Sequence, residues 1–312
     1  MQTVKIDAHV HLWKTQQGLV NGKPVVPLTN GKVDFGGQVR QMMPPYMNDN
    51  INSVERLIAN MDYACVNAAV ITQEYIDGNQ DEYLLEARRK FPERIKITTL
   101  YEDYKILGSL SLACPELVEG KGPQNCDVLE SFDGVKICAG RLADQDLTKL
   151  MPVFKATEQS GKFISIDMAD GDAQVESLAE VIKECPQLRI AIGHFGMVTT
   201  NGWQKQIELA SNPNVYIESG GLTWLFHKEF YPYAGAIDAI LEARDICGMN
   251  KLMWGSDYPR TMTDITYIMA VRFIEETSKL TDEEKAAFLG GNAAKFYGFE
   301  GLKPLAPIEN ML

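Results

Sequence analysis

Two histidines stand one residue apart in the segment IDAHVHL, at positions 9 and 11. Residues i and i+2 of a strand project to one side, so His9 and His11 aim both imidazoles the same way. Such a pair suits two chemistries, ligation of a divalent metal and polarisation of a carbonyl. A hydrogen-bonded structural pair is the plain alternative. Two further residues carry similar potential. His194 ends the run RIAIGHFG, and Asp257 ends the run KLMWGSDYPR just before a turn at Pro259. Each alone reads as structure, a satisfied core histidine or the N-cap of a following helix. The fourth histidine, His227, follows an apolar run and is peripheral.

The elements that carry these residues supply the stronger argument. Short β-branched runs alternate with amphipathic segments along the chain. Eight of them predict strands: Val4–Leu12, Ala68–Gln73, Ile95–Tyr101, Gly134–Cys138, Lys162–Asp167, Arg189–His194, Val215–Ser219 and Lys251–Asp257. After the second, Asn79 with Glu82 reads as a capping box, Leu84, Ala87 and Phe91 share a face, and Pro92 stops the helix. Alternating βα units imply a parallel sheet covered by helices. A doubly wound nucleotide binder should carry a glycine fingerprint after an early strand, and none is present. Eight units in 312 residues therefore predict a single (β/α)8 TIM barrel spanning residues 1–312. His9, His11, His194 and Asp257 then meet at the C-terminal mouth, where such barrels place their chemistry. Imidazoles packed against helices would be an odd choice, so the pair is expected in the lumen.

Residues 13–52 break the rhythm, with Gly, Pro and Asn throughout and the run MMPPYM at 42–47. They predict a long loop without regular structure that covers the mouth. Its Met42, Met43, Tyr46 and Met47 suit a lid, or equally a subunit interface. A second irregular stretch is predicted at Cys114–Asp133.

Composition narrows the function. Hydrophobic residues make up 45% and charged residues 23%, the profile of a globular protein with a sizeable core. The 30 Lys+Arg against 42 Asp+Glu give a net charge of -12, which repels phosphate backbones and anionic membranes. Nucleic-acid and membrane partners are not expected; a small molecule is, with a homo-oligomer open. No apolar run is long enough for a span, and the N-terminus lacks signal-peptide character. The six cysteines (65, 114, 126, 138, 185, 247) show no C-x-x-C pair, so they read as buried thiols of a cytoplasmic protein.

The motifs together resemble the amidohydrolase superfamily, specifically its amidohydrolase-related branch. HVH on the first strand, GHFG at the sixth, GSDYPR at the eighth and the closing GGNAAKFYGF follow that branch in order. The resemblance implies a metal-dependent decarboxylase of muconate- or benzoate-like acids, or a lactonase acting on sugar or pyrone-dicarboxylate lactones. Binuclear members of the superfamily place a carboxylated lysine on strand four and a histidine on strand five. Lys136 in FDGVKIC matches the former, whereas KFISIDMAD puts Ser165 and Asp167 where the histidine would stand. The mononuclear decarboxylase pattern also uses that histidine. The remaining set resembles the lactonases, some of which work without metal.

Lactone opening requires a polarised carbonyl, an activated water and a protonated leaving alkoxide. Asp257 is the expected base. His9, His11 and His194 are expected to polarise the carbonyl, directly or through a Zn²⁺ held by His9, His11 and Asp257, with no cofactor required as the working expectation. Lys136 and Arg260 are candidates for a substrate carboxylate or hydroxyl, and Gln73 and Glu218 for hydroxyl contacts. A carboxy-lyase and a non-catalytic ligand-binding barrel are the competing readings.

Overall fold

The computed structural model describes residues 3–102 and 127–310. Cys114, Cys126 and most of the predicted irregular stretch at Cys114–Asp133 lie outside the described residues. The eight predicted strands appear in order as β1 (Ile6–Val10), β6 (Ala68–Ile71), β7 (Ile95–Leu100), β8 (Gly134–Ile137), β9 (Phe163–Ile166), β10 (Arg189–Ile192), β11 (Val215–Glu218) and β12 (Leu252–Met253). Each forms parallel pairs with its neighbours in that sequence. Between β1 and β12 the barrel closes through main-chain bonds: Ala8 N to Trp254 O (2.9 Å), Asp257 N to His9 O (2.9 Å) and His11 N to Tyr258 O (2.8 Å). This is a (β/α)8 barrel, with helices such as Met151–Gln159, Val175–Glu184 and Ala234–Cys247 between the strands. Among the described residues no helix is long and apolar enough to cross a membrane.

Parallel strands covered on both faces need apolar residues on both, and these strands are buried almost throughout. One alternate set packs under the helices: Ile164, Ile190, Ile192 and Ile217 cluster with Leu178, Ile182 and Ile240. The other set fills the lumen. Ile6, Ala8, Val70, Phe163, Ala191, Tyr216 and Met253 form a separate cluster closed from one end by Phe296 and Tyr297.

Strand β1 departs from strict alternation in a way that matters for the site. Its register on β6 shifts between Asp7 and Val10. Ile6 and Ala8 belong to the lumen cluster, yet Val10 and Leu12 join the helix-facing one. His9 and His11 consequently turn into the lumen, while Asp7 turns to Tyr267 on the helix Tyr267–Glu276. Without that irregularity both histidines would lie on the side of Asp7. Bulges re-aim side chains in this manner.

Residues 13–52 correct the expectation of an irregular loop. They form a four-stranded antiparallel sheet, β2 (Leu19–Val20), β3 (Lys23–Pro27), β4 (Lys32–Phe35) and β5 (Val39–Gln41), paired in chain order. Asn21-Gly22 and Asn30-Gly31 make the first two turns with both residues at positive φ, the conformation that Asn-Gly supplies most readily. Val25, Val33 and Met42 pack with Ile76 beneath the sheet, and Trp13 packs with Met43 and Met47 at its base. Trp13 and Asn52 exchange both main-chain hydrogen bonds, fastening the two ends of the insertion together. The second helix begins at Asp81, one residue later than the capping-box reading requires: the Gln80 carbonyl accepts the first helical bond, from Leu84 N, and the Asn79 side chain accepts from the Asp81 N–H.

Candidate active site

A cavity of about 520 Å³ opens at the C-terminal mouth, lined by His11, Asp167, His194, Trp224, Asp257 and Arg260 among others. The ends of β1, β9, β10 and β12 meet there. Two of these side chains sit on strained backbone. Asp257 has φ 59°, and His194, Phe195, Gly196 and Met197 form an unbroken left-handed run at φ 53°, 52°, 63° and 55°. Bulky residues adopt this region only where the surroundings impose it, a condition that concentrates at functional sites. Gly193 before that run is required by space: a Cβ there would sit 2.1 Å from Asp167 Oδ1 and 2.7 Å from Glu218 Oε1.

His9 and His11 are fixed by their outer nitrogens. His9 Nδ1 donates to Glu218 Oε1 (2.6 Å), and His11 Nδ1 donates to the Thr72 carbonyl (3.1 Å). Carboxylate and carbonyl oxygens only accept, so both protons sit on Nδ1 and both Nε2 atoms face inward. Those Nε2 atoms lie 3.1 Å apart, and Asp257 Oδ1 lies 3.0 Å from that of His11 and 3.9 Å from that of His9. Three acceptors around one point call for one positive charge. A proton on His11 Nε2 supplies it, and so would a divalent cation. The three separations bracket the edge, about 3.4 Å, of a tetrahedral site with bonds of about 2.1 Å. His9, His11 and Asp257 therefore fit a metal ion, with Glu218 and Thr72 as the outer groups that orient the two imidazoles.

The electrostatics follow from these contacts. Burial alone would raise the Asp257 carboxyl, but the His11 hydrogen bond and the charges of His11, His194 and His9 outweigh it and hold it well below the ordinary range. Its Oδ2 also accepts from Trp224 Nε1 at 2.5 Å. Burial lowers His9 despite Glu218, whereas His11 is raised because Asp257 and Asp77 outweigh its burial. Burial would lower His194 too; Asp167, 3.5 Å from its Nε2, outweighs that and raises it to about 10. His194 is a cation at neutral pH, and its Nδ1 donates to the Gly220 carbonyl at 2.9 Å.

The other expected residues divide. Arg260 lines the cavity with its guanidinium 4.0 Å from the Trp224 ring centroid. Lys136 is fully buried behind Asp167, 2.6 Å from its Oδ1, and Glu218 is buried behind His9. Gln73 lies away from the cavity with its amide engaged: it donates to Thr98 O and Asp81 Oδ1 and accepts from Gln80 N. His227 is exposed. Four contributors escaped the sequence reading. Trp224 holds Asp257, Asp77 lies 3.9 Å from His11 Nδ1, and Arg141 pairs with Glu74 at the rim. Asp7 accepts from Ser256 N (2.8 Å), Ser256 Oγ (2.5 Å) and Tyr267 OH (2.8 Å), which fixes the turn carrying Asp257. Asp7 had a signal, its place two residues before His9. The other three, Asp77, Arg141 and Trp224, come from the turn and short helices that follow β6, β8 and β11, whose position only the closed barrel determines.

A family model described as amidohydrolase matches residues 132–299, just over half of the chain. No curated protein matches it. Among solved structures, a probable 2-pyrone-4,6-dicarboxylic acid hydrolase from Acinetobacter baumannii, with citric acid bound, is 19% identical. The alignment covers 96% of this chain and 100% of that one, with a TM-score of 0.66. An amidohydrolase from Burkholderia multivorans with bound zinc is 18% identical over 95% and 99%, with a TM-score of 0.65. The 5-carboxyvanillate decarboxylase of Novosphingobium aromaticivorans, complexed with manganese and a nitrobenzoic acid, is 17% identical over 80% and 81%, with a TM-score of 0.55. At these identities the likeness is one of fold. By the match over residues 132–299, the chain belongs to the amidohydrolase family.

Proposed function

We propose that this chain hydrolyses a lactone that carries a carboxylate. The observation that supports the reading is the mutual placement of His11, His194 and Asp257 on one cavity with the Arg260 guanidinium, which has no anionic partner among the described residues, at its edge. Arg260 binds the substrate carboxylate. His11 turns its Nε2–H from Asp257 to the lactone carbonyl oxygen, which polarises that carbonyl. Losing this hydrogen bond returns base strength to Asp257, whose carboxylate then takes a proton from the attacking water. Trp224 keeps the carboxylate aimed during the transfer. The imidazolium of His194 stabilises the oxyanion and gives its proton to the leaving alkoxide, so one water is consumed and a hydroxy acid released. When a divalent cation is bound by His9, His11 and Asp257, it supplies the carbonyl polarisation as a Lewis acid.

Decarboxylation of an aromatic or muconate-type acid is the competing chemistry. Against it stands Asp167, ion-paired to Lys136 of β8, at the end of β9 where that pattern has a histidine. The test is a panel of carboxylated lactones run beside a panel of aromatic and muconate-type acids, on protein whose metal content has been measured before and after chelation. Lactone turnover without carbon dioxide release is expected. Carbon dioxide release from an acid, lost on chelation, would replace the lactonase reading with the carboxy-lyase one.

A further inference from the structure

The mouth cavity does not end at Arg260. Met42, Ile76, Arg141 and Arg260 form a wall shared with a second cavity of about 400 Å³ under the hairpin sheet. Beyond that wall the second cavity is lined by Lys23 at the start of β3 and Arg40 in β5. Four of its twelve lining residues are cationic and none is acidic, in a chain with 42 Asp+Glu against 30 Lys+Arg. Arg141 is paired with Glu74 at 2.8 Å. The other three have only neutral partners among the described residues. Lys23 donates to the Gly36 carbonyl (3.3 Å), Arg40 to Gln38 Oε1 (2.9 Å), and Arg260 lies over Trp224. Lys23 is also guided along its length, because Gly36 leaves room for its stem: a Cβ there would sit 3.0 Å from Lys23 Cβ and Cδ.

Cations gathered without counter-charges repel one another, and a groove with low-dielectric walls concentrates their field. An anion relieves that repulsion. We propose that the hairpin groove is a second subsite of the enzyme, taking an anionic group of the substrate remote from the reacting ring. Lys23 and Arg40 grip the distal carboxylate, while Arg260 at the junction holds the one near the ring. The inference rests on the lactonase reading of the neighbouring cavity and narrows its substrate to lactones bearing at least two carboxylates. The hairpin sheet is then a specificity element. The barrel alone would accept a monocarboxylate lactone.

The test uses the whole protein and the double variant K23Q/R40Q, which leaves the His–Asp cluster untouched. Loss of two exposed ion pairs together should raise KM for a dicarboxylate lactone by about tenfold. Turnover of a lactone monocarboxylate should stay within about twofold. An equal effect on both lactones, or on neither, overturns the subsite. Calorimetric titration with tricarballylate, a tricarboxylate with no ring to open, separates this inference from the one beneath it. If the panel yields no lactone turnover but the variant binds tricarballylate about tenfold more weakly than the parent, the lactonase reading falls and the anion subsite stands. If lactones are opened while both proteins bind tricarballylate alike, or not at all, the subsite falls alone.

Discussion

Two carboxylates face the mouth from opposite sides of the barrel, and their partners differ in kind. Asp167, at the end of β9, is held by the Lys136 ammonium at 2.6 Å, a permanent charge with no exposure to solvent. Asp257, beyond β12, is held by His11 at 3.0 Å and Trp224 at 2.5 Å. Both are kept ionised against their own burial, Asp167 chiefly by Lys136 and then His194, Asp257 chiefly by its bond from His11. The difference is whether the partner's proton can leave. An ammonium at that separation from a buried carboxylate stays charged, so Asp167 serves as a fixed anion that keeps His194 cationic. An imidazole can pass its proton on, so Asp257 can exchange a neutralised state for a basic one. A third carboxylate sharpens the contrast. Among the described residues Asp81 accepts from neutral donors alone, Gln73, Thr99 and Asn79, and its burial raises it.

The largest effect is expected where the fixed pair is broken. Lys136→Met leaves Asp167 buried without its main cation and should cost about 3–5 kcal/mol of stability, read from chemical denaturation midpoints. Adding Asp167→Leu should recover most of it, because replacing both partners removes the uncompensated charge. A K136M protein as stable as the parent would show that the two sides do not differ as described. On the other side the effect should fall on turnover. Asp257→Asn keeps shape and the Trp224 contact but removes the proton acceptor, so kcat should drop by roughly 10²-fold or more while the denaturation midpoint moves little. Near-parental kcat would reduce Asp257 to a structural residue and pass the base role elsewhere.

The smallest effect concerns Asp81 and has a direction fixed by its raised pKa. The folded state holds the proton to higher pH than the unfolded state, whose carboxyl titrates near about 4. Its contribution is therefore fully present below about pH 4 and is lost as pH rises through the folded value. Relative to Asp81→Asn, the parent should lose stability across the window that opens near about pH 4 and closes once pH has passed the raised folded value. A flat difference across that window would mean that the neutral donors compensate its burial completely.

Much of this arrangement was readable from residue order. All eight strands follow from short apolar runs, most of them β-branched, because a strand buried on both faces has to be apolar along its length. His9, His11, His194 and Asp257 follow from polar residues ending such runs. What failed to show has identifiable causes. The strands of the hairpin sheet are two to five residues long, too short for a period, although Asn21-Gly22 and Asn30-Gly31 were turn signals in plain view. The register shift in β1 leaves no compositional trace, and it alone decides that His9 and His11 face inward. Lys136 was read as a substrate contact because an ammonium pairs with anions, and Glu218 because it stands at a strand end. Their burial behind Asp167 and His9 makes them positioning residues, a distinction that depends on which ends reach the mouth.

The seam between β1 and β12 has a consequence for how the protein matures. The main-chain bonds that close the barrel are the ones that set Asp257 beside His9 and His11, from which it is 248 and 246 positions away in sequence. During synthesis the two histidines leave the ribosome well before Asp257 and wait for the seven barrel strands that follow them. Contacts so distant in sequence form late, because their loop-closure entropy must be met before they contribute. Return of activity on refolding should therefore trail the return of helical signal, and a nascent chain lacking its last strand carries every histidine yet no competent centre.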